Sequence, residues 1–170
     1  GRLTSWKGQE IFLEAINKVN IQLGHQAFIA ILLGSDQGRD LYKKKLIRLV
    51  EQHRLTNQVK FIEHCENMPI AYKISNFVVS ASIEPETFGR VSVEAQSMQK
   101  PILASNIGGS KETIIDNKTG ILFKAGNSDD MSKKIIELLN LDETTLNQMG
   151  IEGRKNIINK FNVEKMCFST

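Results

Sequence analysis

Two glutamates at a fixed spacing give the strongest chemical signal in the chain. Glu86 and Glu94 stand eight positions apart, and Phe88 and Gly89 lie between them. Carboxylates accept hydrogen bonds from pairs of vicinal hydroxyls, such as those of a ribose or a hexose. Gly89 lets the backbone approach a ligand closely, and a helix that starts near Arg90 would direct free N–H groups at an anion. The segment therefore predicts a site for a ligand that is part polyol and part phosphate.

Two cations near the start of the sequence extend this interpretation. Arg2 offers a planar fork that fits phosphate oxygens, and Lys7 offers a compact positive charge. Taken alone, they would be interpreted as solvated charges at a chain end. Beside the glutamate pair they favour phosphate binding.

Other polar residues carry weaker signals. The histidines, at 25, 53 and 64, are scattered and lack the spacing of metal ligands. Cys65 and Cys167 are far apart and are interpreted as free thiols in a reducing compartment, while a disulfide has no support. None of these residues predicts a metal site or a cofactor.

The glycine pair Gly108-Gly109 lacks the third glycine of a dinucleotide-binding fingerprint and predicts a tight turn. Glu112 suits the first turn of a short helix, where its charge favours the helix dipole, so its role is interpreted as structural.

Arg90 has two possible interpretations. It could reach a phosphate or an acidic substrate, or it could be a solvated charge at a helix start.

The elements that must position these residues alternate along the chain. Apolar runs of strand length are typical of parallel sheets that are covered on both faces, and strand–helix alternation predicts a doubly wound, Rossmann-like α/β domain. In such a sheet Glu86 follows a strand at the carboxyl edge, where ligands bind. The predicted strands are Ala27–Leu33, Gln58–Glu63, Phe77–Ala81, Ile102–Ser105 and Ile121–Phe123, and the predicted helices are Gln9–Leu23, Asp40–His53, Met68–Ser75, Val91–Met98, Lys111–Ile115, Asp129–Asn140 and Glu143–Lys160.

Length and composition set outer limits on function. The 170 residues suit one domain spanning 1–170, and a net charge of +3 with 6% aromatic residues does not favour a nucleic-acid-binding protein. No apolar run reaches the roughly 20 residues that span a bilayer, and the start of the sequence has no signal-peptide pattern. We therefore expect a cytoplasmic location.

Several separate motifs resemble glycosyltransferase family 4. The glutamate pair around Phe88-Gly89 is followed by Glu-Ala, a proline before a strand, and Gly-Gly-x-x-Glu, as in the carboxyl-terminal domain of that family. Gly-Arg-Leu at 1–3 with Lys7-Gly8 matches the family's opening motif, and Asn-Lys-Thr-Gly-Ile-Leu-Phe at 117–123 matches its late turn. The match covers nearly the whole chain.

The resemblance implies a role for each site residue. Arg2 and Lys7 would hold the nucleotide diphosphate, and Glu86 would bind hydroxyls of the transferred sugar. Glu94 would bind the ribose hydroxyls. Backbone groups at Phe88, Gly89 and Arg90 would lie against the sugar and phosphate, and the segment 61–66, with Phe61 and His64, would face the base.

The resemblance also implies an activity. The family transfers a hexose from a nucleotide-diphosphate sugar to a hydroxyl acceptor with retention of configuration, using a two-domain GT-B fold and no required metal. The chain would then be the donor-binding half. The amino-terminal, acceptor-binding domain would lie outside it, so the chain alone should be nearly inactive. The resemblance further implies that the acceptor is a glycan or is lipid-linked. It also implies a role in polysaccharide or lipopolysaccharide synthesis at the inner face of a membrane.

Two departures from the family pattern and two rival functions accompany this interpretation. His64 and Cys65 replace a small residue and leave the base preference open, and Gln99 replaces a glycine that often ends a helix. A nucleotide-sugar epimerase or hydrolase of the same architecture would make product without an acceptor. A non-catalytic nucleotide-binding or signalling module is the other rival, and fold alone does not separate these classes.

Overall fold

The computed structural model describes residues 1–38, 40–63 and 65–161, in which strands and helices alternate. A short 3-10 helix, Ser5–Lys7, precedes the first α-helix. The strands are β1 (Ala30–Leu33), β2 (Val59–Ile62), β3 (Val78–Ser80), β4 (Ile102–Ser105) and β5 (Ile121–Phe123), and the helices are α1 (Gln9–Leu23), α2 (Asp40–Gln52), α3 (Met68–Ile74), α4 (Arg90–Ser97), α5 (Ser110–Thr113), α6 (Ser128–Leu139) and α7 (Glu143–Lys160).

All strand pairs in the described residues are parallel, which confirms the predicted α/β class. β1 pairs with β2, and β3, β4 and β5 form a second sheet in that order. The register aligns Ala30 with Val59, and Val78 with Ile102. Because parallel strands of one sheet end at a common edge, the loops that follow β1 and β2 share one edge of the first sheet, and those that follow β3, β4 and β5 share one edge of the second.

Helices cover both faces of the sheets. In β4, Leu103 belongs to a core cluster with α1 and α6, whereas Ile102 and Ala104 belong to a cluster with α3 and α4. Helix α1 contributes Ala15 and Val19 to the first of these clusters, and it contributes other residues to a third cluster around β1 and β2. Helix α1 therefore packs across the junction of the two sheets.

Two helices and two strands match the prediction to the residue: Gln9–Leu23, Glu143–Lys160, Ile102–Ser105 and Ile121–Phe123. The ends of other elements differ by one to three residues. The first strand begins at Ala30, three residues later than predicted, because its pairing with β2 begins only there. Likewise, Phe77 and Ala81 flank β3 without joining it. An apolar run shows that a segment is buried, but the neighbouring strand decides where pairing begins and ends.

Two observations bear on the surroundings of the protein. No helix in the described ranges is both long enough and apolar enough to cross a membrane. Cys65 is a free thiol that donates to the carbonyl of Asn67 at 3.2 Å. The other cysteine, Cys167, lies outside the described residues, so the pairing of the two cysteines stays a prediction.

Gln99 adopts the left-handed conformation that its position suggested. Its φ is +57°, and its side chain is exposed beyond the end of α4. A left-handed backbone costs an L-residue roughly 1 kcal/mol relative to glycine. The departure from the family pattern at this position therefore stores strain in a turn and leaves the site residues unchanged.

We expect Gln99→Gly to raise the free energy of unfolding by about 0.5–1 kcal/mol, because glycine relieves the left-handed strain. Urea unfolding would measure the change. Gln52→Gly is the matched control, since Gln52 is exposed at the end of α2 without a positive φ. That substitution should instead lower stability. Equal effects of the two substitutions would contradict the strain at Gln99.

Candidate functional site

The first residues of the chain link the two sheets at their carboxyl edge. The amino group of Gly1 donates to the carbonyl of Leu33 at the end of β1, at 2.8 Å. On the other side, the N–H of Ile83, in the loop after β3, donates to the carbonyl of Trp6 at 2.8 Å. The segment 1–7 thus lies between the loops that follow β1 and β3, and this places Lys7 beside Glu86.

Lys7 and Glu86 form the central ion pair of the site. Lys7 Nζ lies 2.7 Å from Glu86 Oε1, and both side chains are largely buried, with 14% and 20% of their surfaces exposed. The hydroxyl of Ser82 donates to the same carboxylate oxygen. Lys7 Nζ also lies 4.4 Å from the centroid of the Trp6 ring. The geometry thus brings together one of the two cations predicted to hold a diphosphate and the glutamate predicted to bind the transferred sugar.

The charge state of Glu86 follows from these contacts. Burial alone would raise the pKa of Glu86, but hydrogen bonds from Lys7 and Ser82, together with nearby positive charge, lower the pKa below its ordinary value of 4.5. The carboxylate is therefore ionised at neutral pH and can only accept hydrogen bonds. Such a group suits the hydroxyls of a polyol.

Arg2 lies beside this pair and does not join it. Its guanidinium carbon is 5.8 Å from the Trp6 ring centroid, and its backbone carbonyl accepts a hydrogen bond from the Gln9 amide at 2.8 Å. With Thr4, Ser5, Trp6 and Tyr42, Arg2 lines a cavity of about 230 Å³. Trp6 is therefore flanked by both cations. Sequence reasoning missed its position, because a single tryptophan ahead of the first predicted helix carries no pattern.

A larger cavity of about 420 Å³ opens on the other side of Glu86, a size within the usual range for small-ligand sites. Gly108 and Gly109 form its floor, and a Cβ added at either would come within 2.5 Å of the backbone of Glu86 or Phe88. The N–H of Gly109 also donates to the Glu86 carbonyl at 2.8 Å. The paired glycines thus hold the loop that carries Glu86. The cavity is lined by Pro85, Glu86, Thr87, Gly108, Gly109, Lys111 and Glu112.

The second glutamate lies on the first turns of α4, as predicted. Gly89 adopts φ +68° immediately before the helix. Glu94 Oε2 accepts a hydrogen bond from the Tyr72 hydroxyl at 2.7 Å, and Glu94 Oε1 lies 3.3 Å from Arg90 Nη2. The side chain of Arg90 is 83% exposed. Of the two interpretations of Arg90, the structure favours a solvated charge, which here pairs with Glu94.

The aromatic residues of the predicted site have different surroundings. Phe88 is 41% exposed and meets Phe161 edge to face, with ring centroids 5.4 Å apart. Phe61 lies in β2 and packs against the core cluster around β1 and β2, so its ring serves the core. Its predicted contact with a base stays a prediction. His64 lies outside the described residues.

Both the sequence and the fold of the chain match those of known proteins. The family model described as "Glycosyl transferases group 1" matches residues 1–156. The chain belongs to the group 1 glycosyltransferases. Its fold is that of the carboxyl-terminal, Rossmann-like half of GT-B glycosyltransferases.

Three similar proteins illustrate the match. A capsular polysaccharide biosynthesis glycosyltransferase, CapM of Staphylococcus aureus, is 26% identical over 161 residues, which are 95% of this chain and 40% of that protein. A crystal structure of a glycosyltransferase from Rickettsia africae ESF-5 superposes with a TM-score of 0.92 at 31% identity, covering 99% of this chain and 44% of the other. Anabaena HepE in complex with UDP and glucose gives 0.88 at 29% identity, covering 99% and 45%. The chain thus spans less than half the length of these relatives.

The depressed pKa of Glu86 predicts a pH dependence of stability. A carboxylate whose folded pKa is lowered stabilises the fold fully above about pH 4.5, and this contribution is lost as the pH falls through the folded pKa. Below about pH 4.5, the free energy of unfolding of the wild type should therefore fall more steeply than that of Glu86→Gln. Urea unfolding across this pH range would measure both.

Glu84→Gln serves as the control for this experiment, because Glu84 is exposed in the same loop and forms no recorded ion pair among the described residues. Its unfolding should follow the pH dependence of the wild type. If Glu86→Gln also followed the wild type, the Lys7–Glu86 pair would not control the charge of this carboxylate.

Proposed function

We propose that the full-length protein is a retaining glycosyltransferase of family 4 that moves a hexose from a nucleotide-diphosphate sugar to a hydroxyl acceptor. The observation that supports this most is the largely buried Lys7–Glu86 pair, whose glutamate lines a cavity of about 420 Å³. It sets a fixed cation beside a fixed anion, and a phosphorylated sugar needs both. HepE, a similar protein, has been crystallised with UDP and glucose.

In this proposal the cations hold the diphosphate. Lys7 has three N–H donors, one of which is directed at Glu86, so two stay available for phosphate oxygens. Arg2 also lies beside the Trp6 ring and is exposed, so its guanidinium fork suits a second phosphate. As the bond from the anomeric carbon to the diphosphate oxygen breaks, its electron pair passes to the diphosphate. Lys7 and Arg2 then stabilise that charge, and no metal ion is part of the proposal.

Glu86 binds the sugar in the same proposal. In the described part of the chain, both recorded contacts of its carboxylate converge on Oε1, which leaves Oε2 to accept from a sugar hydroxyl. The backbone at Phe88, Gly89 and Arg90 lies against the sugar and phosphate. Glu94 accepts from the ribose hydroxyls, and Phe61 and His64 belong to the segment that faces the base.

The remaining parts of the proposal concern the whole protein. Residues 1–170 act as one donor-binding domain, and an amino-terminal domain supplies the acceptor, a glycan or a lipid-linked hydroxyl. The product belongs to polysaccharide or lipopolysaccharide synthesis in the cytoplasm, at the inner face of a membrane. The name of CapM, a capsular polysaccharide enzyme, supports the polysaccharide class. Nucleic acid is not a partner.

Calorimetric titration of the chain with UDP, GDP and ADP tests the donor site. We expect one of the three to saturate, with its affinity lowered about tenfold or more by Arg2→Ala and by Glu94→Ala, because each removes a charge-assisted contact. Arg48→Ala and Glu137→Ala, on α2 and α6, are matched charge removals and should bind as the wild type does. If no nucleotide bound, the proposed donor site would be refuted. The same would follow if the control variants lost as much affinity as Arg2→Ala and Glu94→Ala.

A transfer assay tests the division between two domains. With the preferred nucleotide sugar and a panel of glycan acceptors, we expect the full-length protein to transfer sugar and residues 1–170 to show little turnover, because the acceptor is not held against the donor. Robust turnover by residues 1–170 would overturn this division. Release of free sugar or an epimer by the full-length protein without any acceptor would instead favour a hydrolase or an epimerase.

A further inference from the structure

Tyr72 lies where sequence reasoning placed no functional residue. It belongs to α3, and it is buried against Ala95, Ile102, Ala104 and Ile114 in the core cluster between α3 and α4. An aromatic residue in such a cluster is ordinarily a packing residue. The hydroxyl of Tyr72, however, extends to the border of the cluster and donates to Glu94 Oε2 at 2.7 Å.

The two neighbours of Glu94 differ in how firmly they can hold it. Arg90 is 83% exposed, and its nitrogen lies 3.3 Å from Glu94 Oε1, so solvent and salt weaken this pair. Tyr72 is only 6% exposed, and its ring is fixed by packing. Its donor therefore stays in place whether or not Arg90 does. The orientation of the Glu94 carboxylate follows mainly from the tyrosine.

The tyrosine itself is held at both ends. Its backbone carbonyl accepts hydrogen bonds from the hydroxyl of Ser75 at 2.7 Å and from the N–H of Ser75 at 3.2 Å. Burial, followed by the hydrogen bond to Glu94 and the charge of Glu94, raises the pKa of Tyr72 above its ordinary value. The hydroxyl thus keeps its proton throughout the physiological range and acts as a permanent donor.

We propose that Tyr72 is a positioning residue that fixes the Glu94 carboxylate for a pair of vicinal hydroxyls on the ligand. A carboxylate offers about four lone-pair positions, and Tyr72 and Arg90 occupy one each. About two positions are left, which is the number that a vicinal diol needs. This proposal rests on the proposed function, in which Glu94 binds the ribose.

Tyr72→Phe is the decisive variant, since it keeps the buried ring and removes only the donor. We expect this variant to bind the preferred nucleoside diphosphate about five- to tenfold more weakly, because Glu94 loses its orientation. The 2′,3′-dideoxy form of the same nucleotide should bind equally to Tyr72→Phe and the wild type. Calorimetric titration with UDP, GDP, ADP and their dideoxy forms would measure both effects.

Ser75→Ala is the matched control, because it removes a hydroxyl that contacts the backbone of Tyr72 and leaves the bond to Glu94 intact. Relative to the wild type, it should change the affinities for the ribose and dideoxy ligands by the same factor, if it changes them at all. Equal weakening of both ligand forms by Tyr72→Phe would indicate a general packing effect and overturn the positioning role. Unchanged binding of the ribose form by Tyr72→Phe would overturn it as well.

A measurement without ligand separates this proposal from the proposed function. Urea unfolding of Tyr72→Phe, Glu94→Gln and the double variant gives the coupling between the two side chains. We expect the effects on the free energy of unfolding to be clearly non-additive. If the two changes in the free energy of unfolding are additive, the positioning role of Tyr72 is overturned, whatever the titration shows. Coupling in the cycle together with no binding of any nucleotide by the wild type would refute the proposed function, and the diol-binding role of Tyr72 with it.

Discussion

The ion pair between Lys7 and Glu86 is the constraint around which the site is built. Each side chain is largely buried, and a buried charge is costly unless an opposite charge and hydrogen bonds compensate it. Lys7 is the last residue of the short 3-10 helix Ser5–Lys7, and Glu86 lies in the loop after β3. The ion pair therefore holds two distant parts of the sequence together at the carboxyl edge of the sheets. Each of the two segments also lines a cavity: Glu86 lines the one of about 420 Å³, and Trp6 lines the one of about 230 Å³.

Close backbone packing allows this polar contact to form. A Cβ at Gly8 would lie 1.9 Å from the carbonyl oxygen of Ala81, and one at Gly108 would lie 2.5 Å from that of Glu86. Both glycines also have a positive φ, which other residues rarely adopt. The loop that carries Glu86 is thus packed against glycine-containing backbone on two sides. The position of the carboxylate is set by backbone contacts that no larger residue would permit.

The types of the elements and the motifs of the site could be predicted from the sequence, but the contacts between them could not. Helix α1 was predicted to the residue, because its apolar stripe and its flanking glycines are local signals. The pairing of Lys7 with Glu86 could not be predicted, since it depends on how the first segment lies between the two sheets. Tyr72 was missed for a different reason. A tyrosine within an apolar helix is indistinguishable in sequence from an ordinary core residue, and only the 2.7 Å contact of its hydroxyl reveals another role.

The two glutamates of the motif are oriented by different kinds of interaction. Glu86 is oriented by Lys7, and a diphosphate would also attract this cation. In the proposed function, binding of the nucleotide therefore changes the surroundings of the carboxylate that binds the sugar. Glu94 is oriented mainly by a neutral, buried hydroxyl for which a phosphate does not compete. In the proposed function, the ribose therefore meets a carboxylate whose geometry is already fixed, whereas the sugar meets one that responds to the charge beside it. The proposed nucleotide would then have a rigid anchor, and the reacting end of the donor would lie in the adjustable part of the site.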